Sequence, residues 1–377
     1  MDEKTIQYLK IEKEKADFSK KIFGGKSYID KRYKILRDAT HISFPLKKEI
    51  NGEKSILNKI EDLPFMEIVS DVGVENEDYI PRNLHEALKN KIDQKYIHLI
   101  PSSIDIIGSK KAHKIAIIEF PENAIEDPEE YGKFKSEIAN AILQVNQTIN
   151  SVFEKKSKRE GIYRTRELDF LSGFNKTETV HKENDCIFKL DVKKVFFSPR
   201  LLFERDRITS SGIRESQIVL DMFCGVGPFS IQIAKKCNAD VYAIDINPDA
   251  IDYLKENVRL NKVESKVHCF QMDAKELLSE KNELGILLKD NTDRIIMNLP
   301  KNSIEFLEVA CYLIKKRAGI IHFYQITKDP EPLEEGINNF KTRLRDLNHK
   351  IDEIFHTKVV KNYSPHKYLT VIDVKIK

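Results

Sequence analysis

The sequence predicts an α/β fold in the C-terminal half of this 377-residue chain, a mostly parallel sheet covered by helices on both faces. Three observations carry that expectation. From about residue 191 onward, apolar runs at 218–221, 241–245, 266–271, 293–297 and 318–325 alternate with helical periodicities at 228–237, 248–260, 274–280 and 303–316. The first run leads straight into Asp221-Met222-Phe223-Cys224-Gly225-Val226-Gly227-Pro228-Phe229-Ser230, which reads as strand, glycine turn and helix. The second run, Val241-Tyr242-Ala243-Ile244-Asp245, ends in a carboxylate 20 residues past Gly225. An acid at that distance bonds ribose hydroxyls in doubly wound nucleotide-binding sheets.

A chain of this length is expected to divide into domains. Residues 1–72 read as a small module that opens with a charged helical pattern and continues into short strands at Tyr33–Leu36 and His41–Leu46. Residues 73–190 read as a second α+β unit. It has a helix over Pro81–Lys91 with Leu84, Ala87 and Leu88 on one face, then paired strands at Ile104–Gly108 and Ile115–Glu119. A loop from Pro121 to Pro128, a helix from Phe134 to Val152, and strands at Thr177–His181 and Cys186–Val192 complete it. Residues 191–377 carry the alternating pattern and end in a hairpin-like pair, Ile351–Val359 and Tyr368–Lys375.

Composition excludes several classes. Hydrophobic residues at 41% with charged residues at 33% describe a soluble globular protein. The start, with Asp2, Glu3 and Lys4, lacks the apolar stretch of a signal peptide, and no run approaches the ~18 apolar residues of a membrane span. The five cysteines (186, 224, 237, 269 and 311) are scattered with no C-x-x-C, so reduced thiols, a cytoplasmic setting and no metal are expected. Net charge is only +3, but Lys155, Lys156, Lys158, Arg159, Arg164 and Arg166 cluster, as do Lys193, Lys194, Arg200, Arg205, Arg207 and Arg214. Such clusters suit a phosphate backbone, although solvated charged faces look the same in sequence.

Glycines 225 and 227 permit positive φ and remove the Cβ atoms that would keep a ligand from the backbone. The helix N-terminus that follows offers unpaired N–H groups to an anion. A lone G-x-G is also explained by a tight turn. The dinucleotide fingerprint fails at its third glycine, where Ser230 stands, and the chain has no G-x-x-x-x-G-K-[ST] phosphate loop. Ligands of such sheets sit at the carboxyl ends of the strands. Two further stretches map there: Met272-Asp273-Ala274, whose Asp273 also suits a helix N-cap, and Asn298-Leu299-Pro300, which a plain strand-end turn would also favour.

The form D-x-F-x-G-x-G-x-F resembles motif I of class I S-adenosylmethionine (SAM) methyltransferases, whose Rossmann-like sheet is parallel with one antiparallel edge strand. More specifically, the chain resembles the archaeal and eukaryotic tRNA (guanine-N1)-methyltransferases that act on the guanosine 3′ to the anticodon, position 37. Tyr163-Arg164-Thr165-Arg166-Glu167-Leu168, Thr179-Val180-His181-Lys182-Glu183-Asn184, Phe197-Ser198-Pro199-Arg200-Leu201, Glu204-Arg205, Ala243 to Pro248, Met297 to Pro300 and Tyr363-Ser364-Pro365 carry the resemblance, together with the 221–230 turn. It runs from about 160 to the end and is looser before that, through Lys34-Ile35, Phe44-Pro45-Leu46 and Asp105 to Gly108.

The resemblance implies SAM as cofactor, held by Asp221, Phe223, Gly225, Gly227, Pro228, Asp245, Ile246, Asp273 and Asn298. It implies Glu204 as the base that removes the guanine N1 proton, with Arg164 and Asn298 stabilising the charge pushed onto O6 and Pro300 shaping the same turn. A salt bridge from Glu204 to Arg205 or Arg207 is the structural alternative. Arg164, Phe196 and Arg205 would contact the substrate base. Phe196 stands where the family often has tyrosine, so a stacking ring is kept and a hydroxyl lost. His181 is expected to frame the site without acid–base work. A tRNA partner follows, bound at its elbow and anticodon stem-loop, with the N-terminal module gripping the elbow, the 73–190 unit binding RNA and helping to close the site, and a monomeric enzyme expected. The alternatives are a wyosine-pathway enzyme on the same scaffold, either an aminocarboxypropyltransferase, which generally lacks the intact Asn-Leu-Pro, or a dual methyltransferase, and a non-catalytic RNA-binding protein.

Overall fold

The computed structural model describes residues 5–18, 28–89, 91–156, 163, 167–316 and 318–377. By compactness the chain forms two units, Met1–Glu86 and Ala87–Lys377. In the first, β1 (Thr5–Glu12), β2 (Leu36–Arg37), β3 (His41–Pro45) and β4 (Met66–Val72) pair antiparallel in the order β2-β3-β1-β4. The opening segment is therefore a strand, not the helix its charges suggest. Leu9 and Ile11, two residues apart, are fully buried against Leu46, Ile50 and Ile60, the last on α1 (Lys54–Glu61). The chain past β4 stays with this unit, because the Asn76 amide donates to the Arg32 carbonyl (2.8 Å) and the Lys34 amide to the Val74 carbonyl (2.7 Å). The unit thus ends near 86 rather than at the expected 72. The helix expected over Pro81–Lys91 shortens to α2 (Leu84–Leu88), since Asn83 accepts from the Glu86 amide at 2.9 Å and fixes its start.

The second unit opens with β5 (Asp105–Ile107), β6 (Ile115–Ile118), β7 (Ser151–Lys155) and β8 (Leu168–Gly173), paired in that order. Helix α3 (Pro128–Val145) joins the parallel strands β6 and β7. It starts earlier than expected, where Asp127 caps it and Pro128 occupies its first turn, and it stops at Val145 instead of Val152. The residues beyond are needed elsewhere: Asn150 accepts from the Lys114 amide at 2.9 Å, and Val152 and Phe153 are buried in β7. Strands β9 (Glu178–Glu183) and β10 (Cys186–Asp191) form a hairpin turning at Asn184 and Asp185, both at positive φ.

The large sheet contains β11 (Ile218–Asp221), β12 (Asp240–Asp245), β13 (Val267–Gln271), β14 (Arg294–Met297), β15 (Ile320–Lys328), β16 (Ile351–Ser364) and β17 (Lys367–Ile376), in the order β13-β12-β11-β14-β15-β17-β16. The first five are mutually parallel, and β17 runs antiparallel to β15 and β16. The expected antiparallel strand is present, one position in from the edge. Around the sheet lie α4 (Leu202–Thr209), α5 (Pro228–Cys237), α6 (Pro248–Asn261), α7 (Glu283–Leu288), α8 (Leu307–Leu313) and α9 (Pro332–Asp346). Strand residues alternate between two cores, as a sheet covered on both faces requires. Val219, Val241, Ala243 and Ile296 pack with Ile231, Ile251 and Leu254 of α5 and α6. Leu220, Ile244, Ile295 and Met297 pack with Leu307, Ala310 and Phe340 of α8 and α9. The first of these cores also takes in Ile107, Ile115, Phe153 and Phe188, so the chain around 190 runs through a shared interior, where the sequence reading sets a domain division.

Candidate active site

The order of the large sheet reverses at β11, with β12 on one side and β14 on the other, which opens a crevice at the carboxyl ends of these strands. Two of the expected sites flank it. The glycine turn follows β11, Asn298-Leu299-Pro300 follows β14, and Asp221 pairs with Ile296 between them. The Pro300 carbonyl accepts from the Ile326 amide at 3.0 Å, which lays the second turn along β15.

The two glycines are required for different reasons. Gly225, at φ +54°, has one near neighbour for a Cβ, the Phe196 carbonyl oxygen at 3.5 Å, so the turn is open to a ligand there. Gly227, at φ +87°, would drive a Cβ to 2.3 Å from the Leu254 side chain of α6, so it serves packing and caps α5 ahead of Pro228. Asp245 ties the end of β12 to the turn, accepting from the Gly225 amide (2.8 Å) and the Asn247 amide (2.9 Å). Asp221 is buried, accepts from the Ser230 hydroxyl at 2.7 Å, and keeps Oδ1 without a hydrogen-bond partner. Burial pushes its carboxyl up to about 7, with the Ser230 hydrogen bond opposing and the Asp245 charge adding. Phe223 meets Phe306 edge-on at 4.9 Å, and Ile246 is half-buried just past Asp245. Asp273 caps the short 3-10 helix over Ala274–Leu278, accepting from the Lys275 amide at 2.9 Å and leaving a second carboxylate oxygen. An unpartnered acceptor, open space over Gly225 and acids at the ends of β12 and β13 suit a nucleoside carrying an amino group, as SAM does.

Glu204 lies on α4 and is only 2% exposed. Its carboxylate is held by three groups from three elements. Arg207 Nε reaches both oxygens (3.1 and 3.0 Å), the Tyr324 hydroxyl of β15 donates to Oε2 (2.9 Å), and Lys358 Nζ of β16 stands 3.7 Å from Oε1. The salt bridge weighed as an alternative is thus formed with Arg207, and Arg207 is itself held by Asp373 of β17 at 2.5 Å. Tyr324 stands next to Phe323, the partner of Met297, so the helix that carries Glu204 is anchored to β15 beside the strand end that carries Asn298. Asn298 and Pro300 are half-buried.

Other expected site residues are placed differently. Arg205 does not face a substrate. It is 1% exposed, donates to Glu183 (2.8 Å) and the Ser198 carbonyl (2.9 Å), and lies over the Phe197 ring at 5.2 Å. It holds the Phe197-Ser198-Pro199 segment to β9, because a buried guanidinium must be paired. His181 lies on β9, where it accepts from the Gly108 amide at 3.1 Å through Nδ1. Phe196 is half-buried, with its carbonyl over the glycine turn. Arg164 lies outside the described residues. Tyr324, Asp373 and His322, which pairs with Asp373 at 2.8 Å, were not singled out from the sequence. The available signal was a histidine and a tyrosine inside the apolar run at 318–325, where a polar group needs a partner.

Comparison with known proteins agrees with this geometry. Residues 179–352 match the family model of the TRM5/TYW2 methyltransferase domain, and residues 84–177 match that of the TYW2 N-terminal domain. The chain is 38% identical over 351 residues to tRNA (guanine(37)-N(1))-methyltransferase Trm5b of Pyrococcus abyssi, covering 92% of each. It is 34% identical over 371 residues to Trm5b of Methanocaldococcus jannaschii, covering 98% of each. Among solved structures, the complex of aTrm5 and tRNALeu matches with a TM-score of 0.71 at 33% identity, covering 98% of this chain and 99% of that one. The alternating sheet, the glycine turn and the Asn298 turn therefore belong to a class I methyltransferase, and the chain is a member of the tRNA (guanine(37)-N(1))-methyltransferase family.

Proposed function

We propose that this chain methylates N1 of the guanosine at position 37 of tRNA, with SAM as the methyl source. The observation that carries the reading is the placement of the glycine turn and the Asn298 turn at the ends of adjacent parallel strands, with Glu204 anchored to the next strand. SAM supplies a methyl group on a sulfonium, already activated for in-line displacement. The residues of the chain deal with the acceptor. Guanine N1 carries a proton and is a weak nucleophile until that proton leaves. Glu204 takes it, and Asn298, with Arg164, holds the charge that develops on O6. Gly225 leaves room for the cofactor tail, Asp245 takes the ribose, and Asp221 Oδ1 accepts from the amino group.

Residues 1–86 grip the tRNA elbow, the segment from 87 to 190 helps to close the site, and the enzyme works as a cytoplasmic monomer. The aTrm5–tRNALeu complex, matched over 98% of this chain, supports a tRNA partner. Among the described residues no helix is long and apolar enough to cross a membrane. A second reading is favoured by the match of 84–177 to the TYW2 N-terminal domain: transfer of the aminocarboxypropyl group of SAM in the wyosine pathway. One experiment separates them. Unmodified tRNA transcript and tRNA carrying a tricyclic wyosine precursor at position 37 are each incubated with SAM labelled in the methyl group or in the carboxyl group, and the product nucleoside is mapped. Methyl label in 1-methylguanosine at position 37 supports the proposal, and carboxyl label retained on the RNA overturns it.

A further inference from the structure

Tyr324 is fully buried in the middle of β15, and its hydroxyl reaches across to the helix that carries Glu204, donating to Oε2 at 2.9 Å. Its ring packs at 6.2 Å from Phe229, in the first turn of the helix that the glycine turn opens. One side chain therefore links the cofactor turn, the strand beside Asn298 and the carboxylate of Glu204. A buried phenol is retained where its hydroxyl has a partner, and this one has a carboxylate.

We propose that Tyr324 is the positioning residue of the general base, fixing Glu204 with Arg207 so that Oε1 is the oxygen that takes the guanine proton. The inference rests on Glu204 being that base. The two oxygens differ in a way that sets the direction. Oε2 accepts from Tyr324 and Arg207, whereas Oε1 has Arg207 Nε at 3.1 Å and the half-exposed Lys358 ammonium at 3.7 Å. In the step itself the N1–H bond breaks, the proton passes to Oε1, and the electron pair stays on the purine. Glu204 becomes a neutral acid. The groups that face it are Arg207 on its own helix, Tyr324 on β15 and Lys358 on β16, with Asp373 of β17 and His356 of β16 behind Arg207. Burial holds the Tyr324 phenol well above its ordinary range, so it remains a donor throughout the working range of pH.

The test uses the full-length enzyme with unmodified tRNA and SAM, measuring single-turnover methyl transfer against pH for wild type, Tyr324→Phe, Glu204→Gln and the double variant. Tyr324→Phe removes one oxygen and keeps the ring that packs on Phe229. The expected result is a roughly tenfold slower transfer, the loss of one hydrogen bond to a charged acceptor. The acid limb of its profile moves to higher pH, because losing a donated hydrogen bond favours the protonated carboxyl, while SAM affinity is unchanged. Since Tyr324 acts through Glu204, the double variant is no slower than Glu204→Gln. Losses that multiply in the double variant, or a Tyr324→Phe profile that superimposes on wild type after scaling, overturn the proposal as a merely structural effect. A wild-type rate in Tyr324→Phe beside a crippled Glu204→Gln overturns the positioning role alone. A wild-type rate in Glu204→Gln overturns the base assignment, and this inference with it.

Discussion

Replacing the two glycines of the first turn with alanine separates a ligand cradle from a packing joint. At Gly227 an added Cβ stands 2.3 Å from Leu254 Cδ1 and 3.1 and 3.3 Å from two Ile231 atoms, at φ +87°. Leu254 is itself fully buried and cannot swing into solvent. Left-handed backbone costs an L-residue ~1–2 kcal/mol, and overpacking a close-packed interior costs ~1–3 kcal/mol more. Gly227→Ala is expected to lose about 2–5 kcal/mol, a fall in Tm of roughly 5–15 °C for a unit of this size. At Gly225 the φ of +54° lies in the left-handed well, and the one neighbour is a carbonyl oxygen at 3.5 Å. Gly225→Ala therefore costs only about 1–2 kcal/mol of stability. Its methyl group occupies the open space where the cofactor tail is proposed to lie, and SAM affinity falls at least ~10-fold, the effect of about 1.4 kcal/mol. Thermal melts and calorimetric titration with SAM read the two effects independently. A Gly225→Ala variant that binds SAM as wild type does, or a Gly227→Ala variant that melts with wild type, refutes the reasoning.

Further expectations concern the base, the buried acid pair and the N-terminal unit. Glu204→Gln slows methyl transfer roughly 10²–10⁴-fold near neutral pH, and the deficit narrows at high pH, where N1 loses its proton unaided; a deficit independent of pH argues for a structural Glu204. Asn298→Ala and Arg164→Ala each cut transfer strongly with SAM binding nearly intact, and lost SAM binding in either would reassign it to the cofactor. Burial raises Asp373, but the charge and hydrogen bond of His322 and the Arg207 guanidinium outweigh that and hold its carboxyl at about 2. A folded value below the unfolded one means stability present above the ordinary carboxylate range and lost as pH falls from about 4 towards 2. The amount is about 2 kcal/mol, so acid unfolding of Asp373→Asn should lack that component; an unchanged acid limb contradicts the pairing. Deleting residues 1–86 is expected to weaken discrimination between intact tRNA and an isolated anticodon stem-loop more than it slows chemistry on the stem-loop, and an unaltered preference for intact tRNA removes the proposed elbow grip.

The large sheet was legible in the sequence because its signals are local: apolar runs of strand length, Gly225 and Gly227 at a strand-to-helix turn, and Asp245 at a fixed distance. Elements whose identity depends on distant partners were not. Thr5–Glu12 carries enough charge to look helical, and only its place between β3 and β4 makes it a strand. Helix α3 ends at Val145 because the following residues are claimed by β7, although the apolar periodicity runs on. Apart from the Arg207 salt bridge three residues along the same helix, the surroundings of Glu204 were invisible for the same reason. Tyr324 is 120 residues away and Arg207 is held by Asp373, 166 residues beyond it, so no spacing rule brings them together. Arg205 shows the converse, since a basic residue beside a candidate base reads as an RNA contact until its burial against Glu183 is seen.

The central claim is that the Glu204 carboxylate meets guanine N1 at the ends of β11 and β14. A structure of the complete chain with S-adenosylhomocysteine and a tRNA bearing unmodified guanosine at position 37 tests it most directly. The account predicts N1 within about 2.6–3.2 Å of a Glu204 oxygen, with Asn298 beside the same base. A guanine whose N1 is met by another group, with Glu204 still enclosed by Arg207 and Tyr324, contradicts it.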